Sequence, residues 1–257
     1  MPLRAAGGVL LVLLFLSGCG TVRRSLPDRY TDPLRMASAL MEAAPESGQL
    51  LLALPLRARS SQGVLYAFDR SENVLRPHAG PVQTMLGRNG FAGPGEKREG
   101  DGRSPAGLFP LEFAFGYAPA MDTRMPYRQA ADDDLWVDDG RSPDYNQWVR
   151  RGESSAASFE EMKRSDNLYR HGLVVGYNRM PVAPGLGSAI FVHVWRQDGS
   201  ATAGCIAMAE PDLVSLLAWL DPVKKPVILM GDPCELTVLP DLDGLAALCG
   251  HETGGMQ

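Results

Sequence analysis

From Gln49 onward, short apolar runs alternate with turn-forming residues. Leu50 to Leu56 is the first run, and Gly63 to Asp69 (Val64, Leu65, Tyr66, Ala67 and Phe68) is the second. The polar stretch Arg57 to Gln62 between them predicts a β-hairpin. Val82 to Leu86 predicts a third strand, closed by Gly87. Gly, Asn and Pro then recur from Gly87 to Gly95, and Gly and Pro fix successive turns from Gly100 to Pro110, with Leu108 and Phe109 re-entering a sheet. Gly172 to Asn178, centred on Leu173, Val174 and Val175, predicts a buried strand. So do Ser188 to His193, Ile206 to Met208, and Pro226 to Met230. Glu210 to Leu220 predicts a helix. Pro211 and acidic residues sit at its start, and Leu213, Leu216, Leu217 and Leu220 share a face. The pattern predicts a mainly β domain over residues 49–231, without internal repeats.

The flanks read differently. Residues 1–18 carry Arg4, then the apolar core Val9 to Leu16, which is short for a bilayer span. Leu16-Ser17-Gly18-Cys19 follows, so the segment reads as a secretory signal. It resembles a bacterial lipoprotein lipobox, which implies removal of residues 1–18 and lipidation of Cys19. Gly20 after the cysteine implies, by analogy with Gram-negative lipoproteins, an exported chain anchored at the periplasmic face of the outer membrane. Residues 19–48 read as a tether with a short helix, Leu34 to Ala44, ended by Pro45. That helix either packs on the domain or spaces it from the membrane. Residues 232–257 form a C-terminal tail. The least periodic part is Met121 to Tyr169. Asp132, Asp133 and Asp134 read there as a solvated turn rather than a metal site. Tyr127, Tyr145, Asn146 and Trp148 either line a groove for an extended peptide or belong to the core. Ser154 to Asp166 is polar enough for a helix-bearing insertion or a lid.

Composition narrows the class. The 257 residues are 45% hydrophobic and 21% charged, enough for one large domain or two small ones. A net charge of −5 without a Lys/Arg cluster points away from nucleic-acid partners. Gly at 28 and Pro at 20 suit a loop-rich β protein, expected to be monomeric.

The chemistry concentrates at His193 and the Gly204-Cys205 pair, on either side of the polar loop Arg196 to Ala203. A cysteine attacks as the thiolate, and an imidazole takes its proton and returns one to a leaving amine. A glycine before the cysteine lets a substrate approach the backbone, where amides meet a developing oxyanion. On these residues alone, a buried structural cysteine is the competing reading.

Gly100-Asp101-Gly102-Arg103-Ser104-Pro105-Ala106-Gly107-Leu108-Phe109 resembles the G-D-x-x-T/S-P-x-G-x-F signature of the L,D-transpeptidase catalytic domain, or YkuD domain. In that family the signature precedes a histidine and a Gly-Cys pair, the order found here. Leu86 to Gly90 is similar to the family's vGrnG turn. The resemblance covers Gln49 to Gly231 and implies a β-rich sandwich- or barrel-like fold with a few helices, one following the cysteine. It implies Cys205 as nucleophile, His193 as general base and acid, and Gly204 as the backbone beside the oxyanion site. The implied reaction attacks the diaminopimelate carbonyl of a peptidoglycan tetrapeptide stem and releases D-Ala. The acyl group then passes to an acceptor amine or to water, with no metal and no cofactor. The sequence departs from the family pattern in the cysteine segment, after the histidine and in the interval between them. Thr202 matches the family pattern, but Ala203 replaces a frequent histidine and Ala207 an arginine. Val194 follows His193 where Gly or Ser is usual, and the interval from His193 to Cys205 is short. Thr202 and Arg196 are the candidate substrate-binding residues, Arg196 either restoring the missing charge or standing as an exposed loop arginine. A backbone carbonyl would suffice to orient His193.

With Cys19 lipidated and Cys205 a thiol, Cys234 and Cys249 remain and are expected to form a disulfide, worth on the order of 3 kcal/mol in the chain-entropy picture. His78, His171 and His251 read as surface or structural residues. The alternatives are an L,D-carboxypeptidase on the same stems and a non-catalytic wall-binding lipoprotein. An enzyme would be expected to show a depressed Cys205 pKa dependent on His193.

Overall fold

A computed structural model describes residues 32–236 other than 73, 197, 198 and 234. The segment read as a signal, Cys19, His251 and the expected Cys234–Cys249 bridge therefore lie outside the described residues. Among the described residues, no helix is long and apolar enough to cross a membrane.

The predicted hairpin forms. β1 (Gln49–Pro55) runs antiparallel to β2 (Gln62–Ser71), and β2 to β3 (Val74–Met85), which begins well before Val82. The chain continues through β4 (Gly107–Gly116), β5 (Tyr127–Gln129), β6 (Asp134–Val137), β7 (Trp148–Arg150) and β8 (Phe159–Glu161). It ends with β9 (His171–Val175), β10 (Phe191–Val194), β11 (Ile206–Met208), helix α2 (Glu210–Trp219) and β12 (Val227–Met230). The main sheet has the order β12-β1-β2-β3-β11-β10-β9-β4-β5. Because β12 pairs with β4 as well as with β1, the sheet closes into a barrel, with β5 appended to β4.

Side chains alternate between the barrel interior and its outer wall. Leu51, Ala53, Leu65, Val192, Ile206 and Ile228 share one core with Leu213, Leu216, Leu217 and Leu220 from the α2 region. Leu50, Leu52, Leu54 and Phe68 point outward, where helix α1 (Pro33–Leu40) covers them with Met36, Ala37 and Leu40. Burial on both faces explains why β1 reads as an unbroken apolar run rather than an alternating one. α1 starts at Asp32, whose carboxylate accepts the Arg35 N–H at 3.0 Å, with Pro33 in the first turn. Of the two roles open to this helix, the structure takes packing on the domain. The helix stops at Leu40, short of Ala44, and Arg70 binds the carbonyls of Met41 and Pro45 just after it.

A second outer layer covers β10. It is a small sheet of order β7-β6-β8, in which Trp136 lies opposite Trp148 and Glu160. This corrects the reading of Ser154 to Asp166 as helix-bearing: the segment supplies strand β8 instead, pinned by its ladder with β6. Trp136 packs edge-on against Phe191 at 4.9 Å, and Phe115 and Tyr169 meet the same ring at 5.3 and 5.6 Å. Tyr145 and Asn146 are buried, so they belong to the core. Asp134 accepts the Ala131 N–H and pairs with Arg128, while Asp132 pairs with Lys163. Among the described residues, no group of three or more His, Cys, Asp or Glu side chains is placed to hold a metal ion.

Candidate active site

β10 and β11 are parallel neighbours, with Val192 opposite Ile206 and His193 opposite Ala207. Val192 and Ile206 enter the barrel core, whereas Phe191 and Cys205 belong to the outer aromatic layer. The two-residue period puts His193 on the same outer wall as Phe191. His193 and Cys205 thus open into one cleft of about 230 Å³, together with Glu160, Arg164, Tyr169 and Arg196. Another cavity, of about 270 Å³, is lined by Phe91, Arg103 and Leu236 among others and reaches neither His193 nor Cys205.

Cys205 sits against backbone. Its Sγ lies 3.2 Å from the Ala189 carbonyl, to which the thiol donates, and accepts the Phe191 N–H at 3.4 Å. Burial pushes the thiol up to about 12, and the charge of Glu160 acts in the same direction. The apolar wall that holds the sulfur desolvates its anion, a push opposite in direction to the depression expected of an activated thiol. Ala189 adopts a left-handed backbone, φ 53°, unusual for a residue with a Cβ. Asn146 holds it there. Its Oδ1 accepts the Ala189 N–H at 3.1 Å and the Trp136 Nε1–H at 2.9 Å. Its Nδ2 donates to the carbonyls of Tyr177 and Asn178 at 3.2 and 2.7 Å. The amide is thus fully engaged, and one of its bonds ties it to the residue whose carbonyl receives the Cys205 thiol.

His193 Nδ1 is 2.7 Å from the Val194 carbonyl. A carbonyl only accepts, so Nδ1 carries the proton and Nε2 keeps its lone pair. Burial lowers the imidazole to about 4, leaving it neutral at pH 7. Tyr169 stands edge-on to the ring at 5.3 Å and fixes its plane.

The turn before Cys205 is held from within and from behind. Thr202 Oγ1 donates to the Cys205 carbonyl at 2.7 Å and accepts the Gly204 N–H at 3.1 Å. The Gly204 amide is thus engaged within the turn beside Cys205, and the Thr202 hydroxyl, on the cleft lining, bonds the backbone on both sides of it. Gly204 is a glycine for a packing reason: a Cβ there would come within 2.9 Å of the Arg103 carbonyl oxygen. Ser104 Oγ accepts the Gly87 N–H at 2.9 Å and lies 3.4 Å from the Cys205 carbonyl. The loop from Gly100 to Pro110 is therefore the backing plate of the cysteine turn, which explains why the two motifs occur together.

The remaining wall of the cleft comes from residues 160–169 and the loop after β10. Arg196 Nη2 lies 2.9 Å from Asp166 Oδ2. Arg164 grips the same carboxylate through Nε and Nη2 at 2.9 and 2.8 Å and holds it well below the usual carboxylate range. The Tyr169 hydroxyl donates to Glu160 Oε2, and burial raises the Glu160 carboxyl above its ordinary pKa.

The sequence matches the profile of the L,D-transpeptidase catalytic domain, YkuD, over residues 58–229, a span that includes the Gly100–Pro110 loop, His193 and Cys205. The chain belongs to the YkuD family. The YkuD profile begins after β1, so β1 and α1 lie outside the matched span while packing on the barrel. No curated protein matches the sequence. Among solved structures, the chain is similar to the helical cell shape determining protein Pgp2 from Campylobacter jejuni, with 14% identity and a TM-score of 0.36 over 77% of this chain and 56% of that one. A lysine-to-alanine mutant of Pgp2 gives 13% identity and a TM-score of 0.35 over 78% and 56%. The chain thus spans little more than half the length of those proteins.

In this YkuD chain the structure brings His193, Cys205, Thr202 and Arg196 to one cleft, with Gly204 in the turn beside it. Sequence reasoning missed Glu160, Arg164 and Tyr169, which come from the aperiodic stretch. It flagged Asn146 only as groove or core. Two Asx-type signals were present: Asn146 itself and Asn178 both take up left-handed backbone, which Asn tolerates better than most residues.

Proposed function

We propose that this chain is a peptidoglycan L,D-transpeptidase whose nucleophile is Cys205. The observation that carries the reading is the opening of His193, on β10, and Cys205, in the turn leading into the neighbouring parallel strand β11, into one cleft, with the Val194 carbonyl leaving His193 Nε2 free to accept a proton. The resting pair is a neutral thiol and a neutral imidazole. Proton transfer therefore accompanies attack instead of preceding it. As Sγ bonds to the diaminopimelate carbonyl carbon of a tetrapeptide stem, its proton passes to His193 Nε2, and the C=O electrons become an oxyanion beside the Cys205 amide. The oxyanion collapses, the C–N bond to D-Ala breaks, and the imidazolium protonates the departing amine. An acceptor amine then attacks the thioester carbon and gives a proton to His193; the C–S bond breaks, and the imidazolium returns that proton to Sγ. The Phe191 N–H, already on Sγ, steadies the sulfur as it gains charge. We further propose lipid anchoring through Cys19 at the periplasmic face of the outer membrane.

The test is intact-protein mass spectrometry of the full chain with a carbapenem, followed by purified tetrapeptide stems. The expected result is a covalent adduct that is lost in Cys205→Ala, release of D-Ala, and dimeric stems. D-Ala release without dimers makes the acceptor water, a carboxypeptidase. A folded protein with no adduct and no release is a wall-binding module, and the proposal falls.

A further inference from the structure

The cleft that Cys205 lines also holds two arginines that share a single carboxylate. Arg164 uses Nε and Nη2 on Asp166, and Arg196 adds Nη2 to the same Oδ2. Two guanidinium groups that share one carboxylate keep unused donors on both forks. Glu160 also lines the cleft, where its carboxyl accepts the Tyr169 hydroxyl and burial raises its pKa above the ordinary value.

The arrangement is pre-set. The Tyr117 hydroxyl accepts the Arg164 N–H at 2.9 Å and donates to the Arg164 carbonyl at 3.1 Å. The Arg164 guanidinium lies 5.1 Å from the centre of the Tyr169 ring, whose edge meets His193. Asp166 accepts the Leu168 N–H at 3.3 Å, and the Leu168 carbonyl accepts the Val194 N–H at 3.2 Å, one residue from His193. The segment carrying Arg164 is therefore registered against the strand carrying the imidazole. Ala207, directly opposite His193 in the ladder, also lines the cleft and brings no charge to it.

We propose that Arg164 and Arg196 form the subsite for a free carboxylate of the acyl-donor peptide. The inference rests on reading this cleft as the acyl-transfer site. Two carboxylates of a stem have the right chemistry: the C-terminal one on D-Ala and the second one on diaminopimelate. Asp166 holds the two forks apart and aligned, and the ligand carboxylate takes the donors that Asp166 leaves.

Binding tests this without turnover. In the Cys205→Ser chain, calorimetric titration compares three tetrapeptides: both carboxylates free, the C-terminal one amidated, or the diaminopimelate one amidated. One amidation is expected to raise Kd about tenfold or more, the scale of a lost charge-assisted pair. Which amidation does so identifies the carboxylate. Adding Arg196→Gln, at a mostly exposed side chain, or Arg164→Gln should shrink that ratio to within about twofold, and Arg164→Lys, a charge without a fork, should leave an intermediate ratio. Equal binding of all three peptides, no binding of any, or a ratio that survives both glutamine variants overturns the subsite. D-Ala release by the wild-type chain is scored separately. Discrimination that depends on the arginines without release keeps the subsite and removes the enzyme.

Discussion

At the scale of residues, the site is governed by burial. His193 titrates near 4 in the folded chain and near 6.5 when unfolded. Between those values the unfolded state binds a proton that the folded state refuses, so stability is complete above about pH 6.5 and declines as pH falls to about 4. The loss is on the order of 3 kcal/mol at most. Urea midpoints at pH 7, 5 and 4 should show it, and His193→Gln should flatten that part of the profile. Cys205 works at the other end. The folded chain keeps the thiol proton to about 12, whereas an unfolded cysteine loses it near 9, so stability falls as pH rises through that window. Iodoacetamide should accordingly alkylate Cys205 more slowly than a free cysteine at pH 8, and a rate equal to or above the free thiol would contradict the neutral resting pair. Asn146→Ala would strand two buried donors, Ala189 N–H and Trp136 Nε1–H. The expected cost is about 2–4 kcal/mol in chemical denaturation. His193 and Cys205 were legible in the sequence because nucleophile and base announce themselves by type and order. Asn146, Arg164 and Glu160 were not, because an amide or an ion pair gains its role only from what the fold sets beside it.

At the scale of elements, α2 begins on Ala209, whose side chain makes no capping hydrogen bond. Ala209→Asp or Ala209→Ser should therefore stabilise the chain by about 0.5–1 kcal/mol, read as a raised Tm. α1 has the opposite status: it is well capped and indispensable as a cover. Deleting residues 32–48 would expose the outward face of β1, Leu50, Leu52 and Leu54, and should lower Tm and promote aggregation, although the YkuD profile starts only at residue 58. Strands with long apolar runs, such as β1 and β9, were readable along the chain. β5, β7 and β8 are three residues each, too short to establish a period, and became strands only through their ladders. The hydrophobic run of β1 carried no hint that one of its faces meets a helix and the other a barrel interior.

At the scale of the molecule, the barrel, the α1 cover and the small β7-β6-β8 sheet divide the labour. The barrel supplies a wall fixed by paired strands, on which His193 and Cys205 stand. The outer layer supplies the facing wall, with Arg164, Glu160 and Tyr169. Closure of the barrel falls to β12, the last strand of the domain, lying between β1, the first, and β4. A chain emerging from its N-terminus can zip β1, β2 and β3 at once through adjacent turns. The flank of β1 and the flank of β4 nevertheless stay unpaired, with bare amides and carbonyls, until residues 227–230 arrive. Completion thus waits on the most distant contact in the domain. Refolding is expected to be slow for a chain of this size, and changes within β12 should weigh on it more than changes in the early hairpin. Wherever the chain folds, the same geometry means that synthesis must run past residue 230 before the barrel can shut.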